Sequence, residues 1–247
     1  MFHTLAWKEA VAASATETMA PVTDTIIAVK NNRFFPTKDY KILYSYQGAA
    51  VTGRVQINTP SLRQVSSPWM NPFNPAIEPG TDPNISDYRS NPLLLRGLEE
   101  VEASATEEAG TGGDFWVVQG WGLDLAPAPA GDVYTMRGTG TTTAVADNWT
   151  TVSLTWDNQL PVGIFAVCGG VVVSATGIAW RTVFEDQVAR PGGLCVDATN
   201  ERTASMFRKG GLGNWGQFNS NRMPEFQVLC SSGDTAQTFY LDFVRVG

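Results

Sequence analysis

From residue 24 to the end, the chain is a succession of short apolar or β-branched runs, and no helical crossover of ten to fifteen residues separates any two of them. The runs read "TDTIIAVKNN", "YKILYSYQ", "TGRVQINT", "LLLRGLEEVEAS", "GDFWVVQGWGL", "DVYTMRGT", "NWTTVSLTW", "VGIFAVCGGVVVSATGIAWRTVF", "PEFQVLC" and "TFYLDFVRV". Between them stand clusters of Gly, Pro, Asn, Asp and Ser, the residues that turns require. Without crossover helices a parallel α/β sheet is excluded, and many short strands point to an antiparallel sandwich or barrel. The last run is the clearest: Phe239, Leu241 and Phe243 share one face, and Tyr240, Asp242, Val244 and Val246 share the other.

Composition narrows the function. The net charge is −7, from 17 Lys plus Arg against 24 Asp plus Glu, with no long run of like charge. That excludes a basic footprint for nucleic acid and a polybasic membrane contact. Charged residues make up 17% of the 247, against roughly 25% in ordinary soluble domains. Such a surface suits coverage by partners, although all-β chains also use Thr, Ser, Asn and Gly where helical ones use Lys and Glu.

The only histidine is His3, and Cys168, Cys195 and Cys230 form no CxxC pair. Neither a zinc ligand set nor a Cys-His nucleophile pair can be drawn from them. Cys168 and Cys230 sit in apolar runs, where a small buried hydrophobe is expected; Cys195 and Cys230 are a conceivable disulfide.

Residues 1–23 are expected to form a short amphipathic helical arm. Trp7, Val11, Ala15 and Met19 recur every four residues, with Pro21 beyond. The arm would dock on its own domain or on a neighbouring subunit. It has neither the basic start nor the apolar centre of a secretory signal, and no later stretch reaches 18 apolar residues. The glycosylation patterns at Asn84 and Asn148 are therefore expected to be idle.

Two segments break the strand rhythm. In "FRKGGLGNWGQF", Gly211, Gly213 and Gly216 have the spacing of a dinucleotide-binding turn, but Asn, Ser and Pro follow where a helix would have to hold the pyrophosphate. The segment reads instead as a glycine-rich loop over 190–224, carrying Met206, Phe207, Leu212, Trp215 and Phe218, which need cover. The other segment, 59–92, holds seven prolines (Pro60, Pro68, Pro72, Pro75, Pro79, Pro83 and Pro92) and cannot be a central strand. Its Leu62, Val65, Trp69, Met70, Phe73 and Ile77 are too apolar for a linker, so it reads as an ordered insertion packed on its own sandwich or on a neighbour.

Paired carboxylates are the remaining catalytic option, since a β-sandwich groove can cleave a glycoside. Glu99, Glu100 and Glu102, or Glu185 with Asp186, are the candidates, yet acidic residues at that spacing are common on any solvated strand. Trp116 and Trp121 fall on opposite faces of a strand, which weakens a flat sugar-stacking platform.

The stretch "YKILYSYQGAAVTGRVQINTPSLRQVSSPWMNPFNP", followed by strands, proline-rich excursions and a closing strand, resembles the jelly-roll coat proteins of icosahedral viruses and phages. The resemblance is one of style over most of the chain. It implies a structural, non-enzymatic subunit located in the virion, which tiles a capsid shell with copies of itself, as trimer, pentamer or hexamer building blocks, and with other coat proteins. One feature departs from the many coat proteins that carry an Arg-rich N-terminal arm, because only Lys8 precedes Lys30 here. That puts genome packaging by a basic arm in doubt and favours protein contacts, a separate packaging system or an internal membrane.

The fold expected is thus an all-β, antiparallel jelly-roll sandwich with long ordered loops and a short N-terminal helix, with one domain over 24–247. No catalytic, cofactor-binding or metal-binding residue is assigned, and no transmembrane segment. Trp7, Trp69, Met70, Phe73, Phe207, Leu212 and Trp215 are the expected subunit contacts, flanked by Arg63, Arg89, Arg190 and Arg208, whose guanidiniums suit bidentate pairing across an interface. A carbohydrate-binding β-sandwich module, or a glycan-binding spike or tail protein, is the alternative.

Overall fold

The computed structural model describes residues 2–22, 27–49, 51–61, 85–196 and 205–247. The expected N-terminal helix is absent. Strand β1 occupies Phe2–Val11, and its side chains from Phe2 through Trp7 are buried. A spacing of four residues is even, so it satisfies the two-residue period of a strand as well as the turn of a helix. Leu5, Trp7 and Val11 accordingly share one face and enter one core.

The chain forms two compact units instead of the single domain expected over 24–247. One takes in the described residues between 5 and 123, the other those from Asp124 to Gly247 together with the first residues through Thr4.

In the N-terminal unit, one sheet runs in the order β3 (Ala20–Pro21), β1, β11 (Gly113–Gly122), β6 (Tyr40–Ala49) and β8 (Ile85–Asp87), with β9 (Leu93–Leu95) also on β6. The facing sheet orders β2 (Thr16–Thr18), β10 (Glu102–Glu107) and β7 (Gly53–Asn58). A hairpin of β4 (Ala28–Lys30) and β5 (Arg33–Phe35) turns through Asn31 and Asn32, with φ of 51° and 56°. Asparagine tolerates this left-handed region, and the two-residue turn matches strand twist. Between the sheets, Trp7 meets Phe34 edge-on at 4.8 Å, and Trp121 lies within 6 Å of both.

The C-terminal unit repeats the plan. The strands are β12 (Val133–Gly140), β13 (Thr150–Val152), β14 (Leu154–Trp156), β15 (Ile164–Val173), β16 (Gly177–Val183), β17 (Gly192–Val196), β18 (Gly216–Asn219), β19 (Glu225–Cys230) and β20 (Thr238–Arg245). One side orders β12, β20, β15 and β18, with β14 beyond β12; the other orders β13, β19, β16 and β17. A short parallel pairing of Val172 and Val173 with Cys195 and Val196 joins them.

Numbered by place in the unit, the first strand lies beside the eighth, the eighth beside the third and the third beside the sixth, while the second, seventh and fourth are neighbours on the other side. This is the strand order of a jelly roll. The C-terminal unit fills all eight places among its described residues, with β17 as the fifth. The N-terminal unit fills seven, with β1, β2, β6, β7, β8, β10 and β11. The fold is all-β, and among the described residues the strands named above pair antiparallel apart from β15 with β17.

Candidate functional site

The segment 190–224 is not one long loop. Its described residues contain β17, a 3-10 turn at Ser205–Phe207 and β18. Its glycines allow close backbone approaches: a Cβ on Gly213, at φ 74°, would lie 2.1 Å from the Ala126 carbonyl oxygen. Gly216 opens a strand and not a helix, so the Gly211, Gly213, Gly216 spacing builds no phosphate cradle.

The aromatic residues of this segment serve their own unit. Phe207, Leu212 and Trp215 are completely buried. Trp215 packs 5.2 Å from Trp180 and 5.4 Å from Phe2. Trp7 is likewise inside the N-terminal core. As side chains these four take no part in an exposed surface, which corrects their expected role as subunit contacts. The cause is that large aromatics fill the space between two sheets wherever a covering segment lets them. Arg63, Trp69, Met70 and Phe73 lie outside the described residues.

The arginines expected to reach a neighbour are used at home. Arg208 makes a two-pronged pair with Asp242, Nε to Oδ2 at 2.8 Å and Nη2 to Oδ1 at 2.9 Å. Arg89 grips Asp87, with Nη2 2.7 Å from Oδ2. Arg190 donates from Nη1 to the carbonyl oxygens of Gln187 at 2.8 Å and Ala189 at 3.2 Å, knotting its own loop.

The carboxylate candidates separate in the same way. Glu102 is buried and accepts from Arg33 Nε at 2.7 Å, and Glu100 lies 3.5 Å from Arg33 Nη1. Both are held by one cation and cannot work as a free acid–base pair. Glu99 is occupied by the amide and hydroxyl of Ser61. The three cysteines are free and buried, with Cys195 and Cys230 unpaired. Burial pushes the Cys168 thiol up to about 11 and that of Cys195 well above its ordinary range, so they are poor nucleophiles. Among the described residues, no group of three His, Cys, Asp or Glu is placed to hold a metal ion. Nor is any helix long and apolar enough to cross a membrane.

Glu185 and Asp186 do meet in a recess. A cleft of about 660 Å³ in the C-terminal unit lies between the turn after β16 and the turn between β18 and β19. Its polar rim carries Glu185, Asp186 and Glu225 against Arg190 and Arg222, with the amides of Gln187, Gln217 and Asn219. Phe184, Phe218, Met223 and Pro224 line the rest. Arg222 Nη1 reaches Glu185 Oε2 at 3.3 Å, an exposed pair of modest worth. The cleft was not legible from the sequence, because its walls are two turns 30 residues apart.

Set against known proteins, the chain is matched by no family model and by no curated protein. Two solved structures are similar to it over nearly their whole lengths. One is the crystal structure of the STIV MCP, at 8% identity over 99% of this chain and 97% of that one, with a TM-score of 0.25. The other is the major capsid protein P2 from Bacteriophage PM2, at 10% identity over 100% of this chain and 98% of that one, also with a TM-score of 0.25. At that score the jelly-roll assignment rests on the strand order in each unit.

Proposed function

We propose that this chain is a structural subunit that assembles with copies of itself, a coat protein of a viral or phage shell. The observation that carries this reading is the strand order: the same roll is built twice in one chain, and this architecture serves shells and lectin domains. Each unit closes its own aromatic core.

The surface chemistry favours the shell over a lectin that stacks sugars. Among the described residues every Trp, Tyr and Phe is buried or half-buried, so none of these rings lies wide open for a sugar to stack on. Exposed aliphatic side chains are present instead. Val133 and Ile164 stand on β12 and β15, the two strands that flank β20, and Val246 follows the end of β20, each more than a third exposed. A low charge fraction with exposed aliphatics is what subunits covered by neighbours can tolerate. Trp69, Met70 and Phe73, flanked by Arg63, remain the proposed contacts between copies.

The test is the size and shape of the purified protein by light scattering on a gel-filtration column and negative-stain microscopy. Closed shells, tubes or stable rings are expected. A monomer of about 27 kDa at all concentrations and salts would overturn the reading.

A further inference from the structure

We infer that the cleft between the β16–β17 turn and the β18–β19 turn binds a neutral oligosaccharide. Its volume falls in the range of small-ligand sites. Its rim mixes three carboxylates, two guanidiniums and three primary amides, so it projects no strong single-sign field that would select a phosphate or a polycation. Carboxylates only accept hydrogen bonds, guanidiniums only donate, and amides do both. A ligand that satisfies all three at close quarters must carry neighbouring groups that each donate and accept, and vicinal hydroxyls are such groups.

Two details sharpen the assignment. Arg190 is braced on the main-chain carbonyls of its own loop, which positions it at the rim before any ligand arrives. The half-buried Met223 gives the apolar side of a sugar ring a surface to lie on, in place of an aromatic platform.

The site does not depend on the shell reading, and its test is separate. Saturation-transfer NMR on the full chain, with maltose, lactose, cellobiose and chitobiose as probes, is expected to show transfer to at least one. Asp186→Ala and Gln217→Ala remove rim groups, and each is expected to weaken that binding about tenfold with an unchanged melting temperature. No transfer to any of the four, or transfer that survives both substitutions, would overturn the inference. Binding by free subunits that vanishes in assembled particles would also overturn it, because the cleft would then be a contact between copies. A protein that stays monomeric but binds a disaccharide through Asp186 would sink the shell and keep the site.

Discussion

Arg208 and Asp242 are joined by two parallel hydrogen bonds, and the pair fastens the glycine-rich segment to the last strand of the C-terminal roll. Asp242 is nearly inaccessible, whereas Arg208 is 41% exposed in its side chain, so the carboxylate depends on the arginine and not the reverse. Asp242 also accepts from Thr135 Oγ1 at 2.7 Å and from the Lys209 amide at 3.2 Å.

Arg208→Ala would leave that carboxylate buried without its cation. Loss of one partner of a fully buried pair costs about 3 kcal/mol; with Arg208 part-exposed and Asp242 keeping the Thr135 and Lys209 donors, calorimetry is expected to show a smaller loss, about 1–2 kcal/mol. Arg208→Lys is expected to recover only part, because an ammonium cannot reproduce the fork. Equal stability of all three proteins would show that water replaces the guanidinium at no cost.

Glu107 gives a pH dependence. Its carboxylate accepts from the amides of Ser14, Thr111, Gly110 and Ala109, and the Ser14 bond foremost holds its pKa below the ordinary value of 4.5 against the opposing effect of burial. A folded pKa below the unfolded one stabilises at pH above the unfolded value and loses that contribution as pH falls through the folded value. Asp39, held down chiefly by the Gly97 amide, and Asp87, held down chiefly by Arg89, act with the same sign. Denaturant melts are therefore expected to show stability declining below about pH 4.5, with a shallower decline in Glu107→Gln. Identical pH slopes would remove Glu107 from the account.

These relationships mark where the sequence stops being legible. The alternation of Phe239, Leu241 and Phe243 against Tyr240, Asp242 and Val244 reads directly as a strand, because a two-residue period has a single interpretation there. Trp7, Val11, Ala15 and Met19 fit two periods, and only the sheet beside them decides between helix and strand. The division near residue 123 left no signal, since "LAPAPAGD" resembles any other turn-rich connection and the two rolls share no sequence repeat. Gly192 and Gly193 read as loop residues, yet they lie in β17 because Trp180 and Phe207 press where a Cβ would be. Arg208 reads as a residue suited to bidentate pairing across an interface, yet its partner Asp242 lies 34 positions away in the same chain, and periodicity cannot choose between the two.

The thiols give a direct check on burial. Ellman's reagent is expected to titrate none of Cys168, Cys195 and Cys230 in the native protein at neutral pH and all of them after denaturation, since all are buried and burial raises their pKa. Rapid native reaction of one would reveal local opening of the strand that carries it, β15, β17 or β19.

The tryptophans separate folding from assembly. Trp215 is fully buried against Trp180 and Phe2, so Trp215→Ala removes a core ring, at a cost of about 3–5 kcal/mol, and is expected to lower the yield of folded protein before assembly is tested. Phe2→Ala, at the other side of the same contact, is expected to destabilise in the same direction. Trp69→Ala is expected to behave oppositely if Trp69 joins copies: circular dichroism and melting temperature stay as in the parent, while the large species disappear from the scattering profile. A Trp69→Ala protein that assembles normally would remove this residue from the interface. One that fails to fold would place it with Trp215, as a ring that closes a core of its own chain.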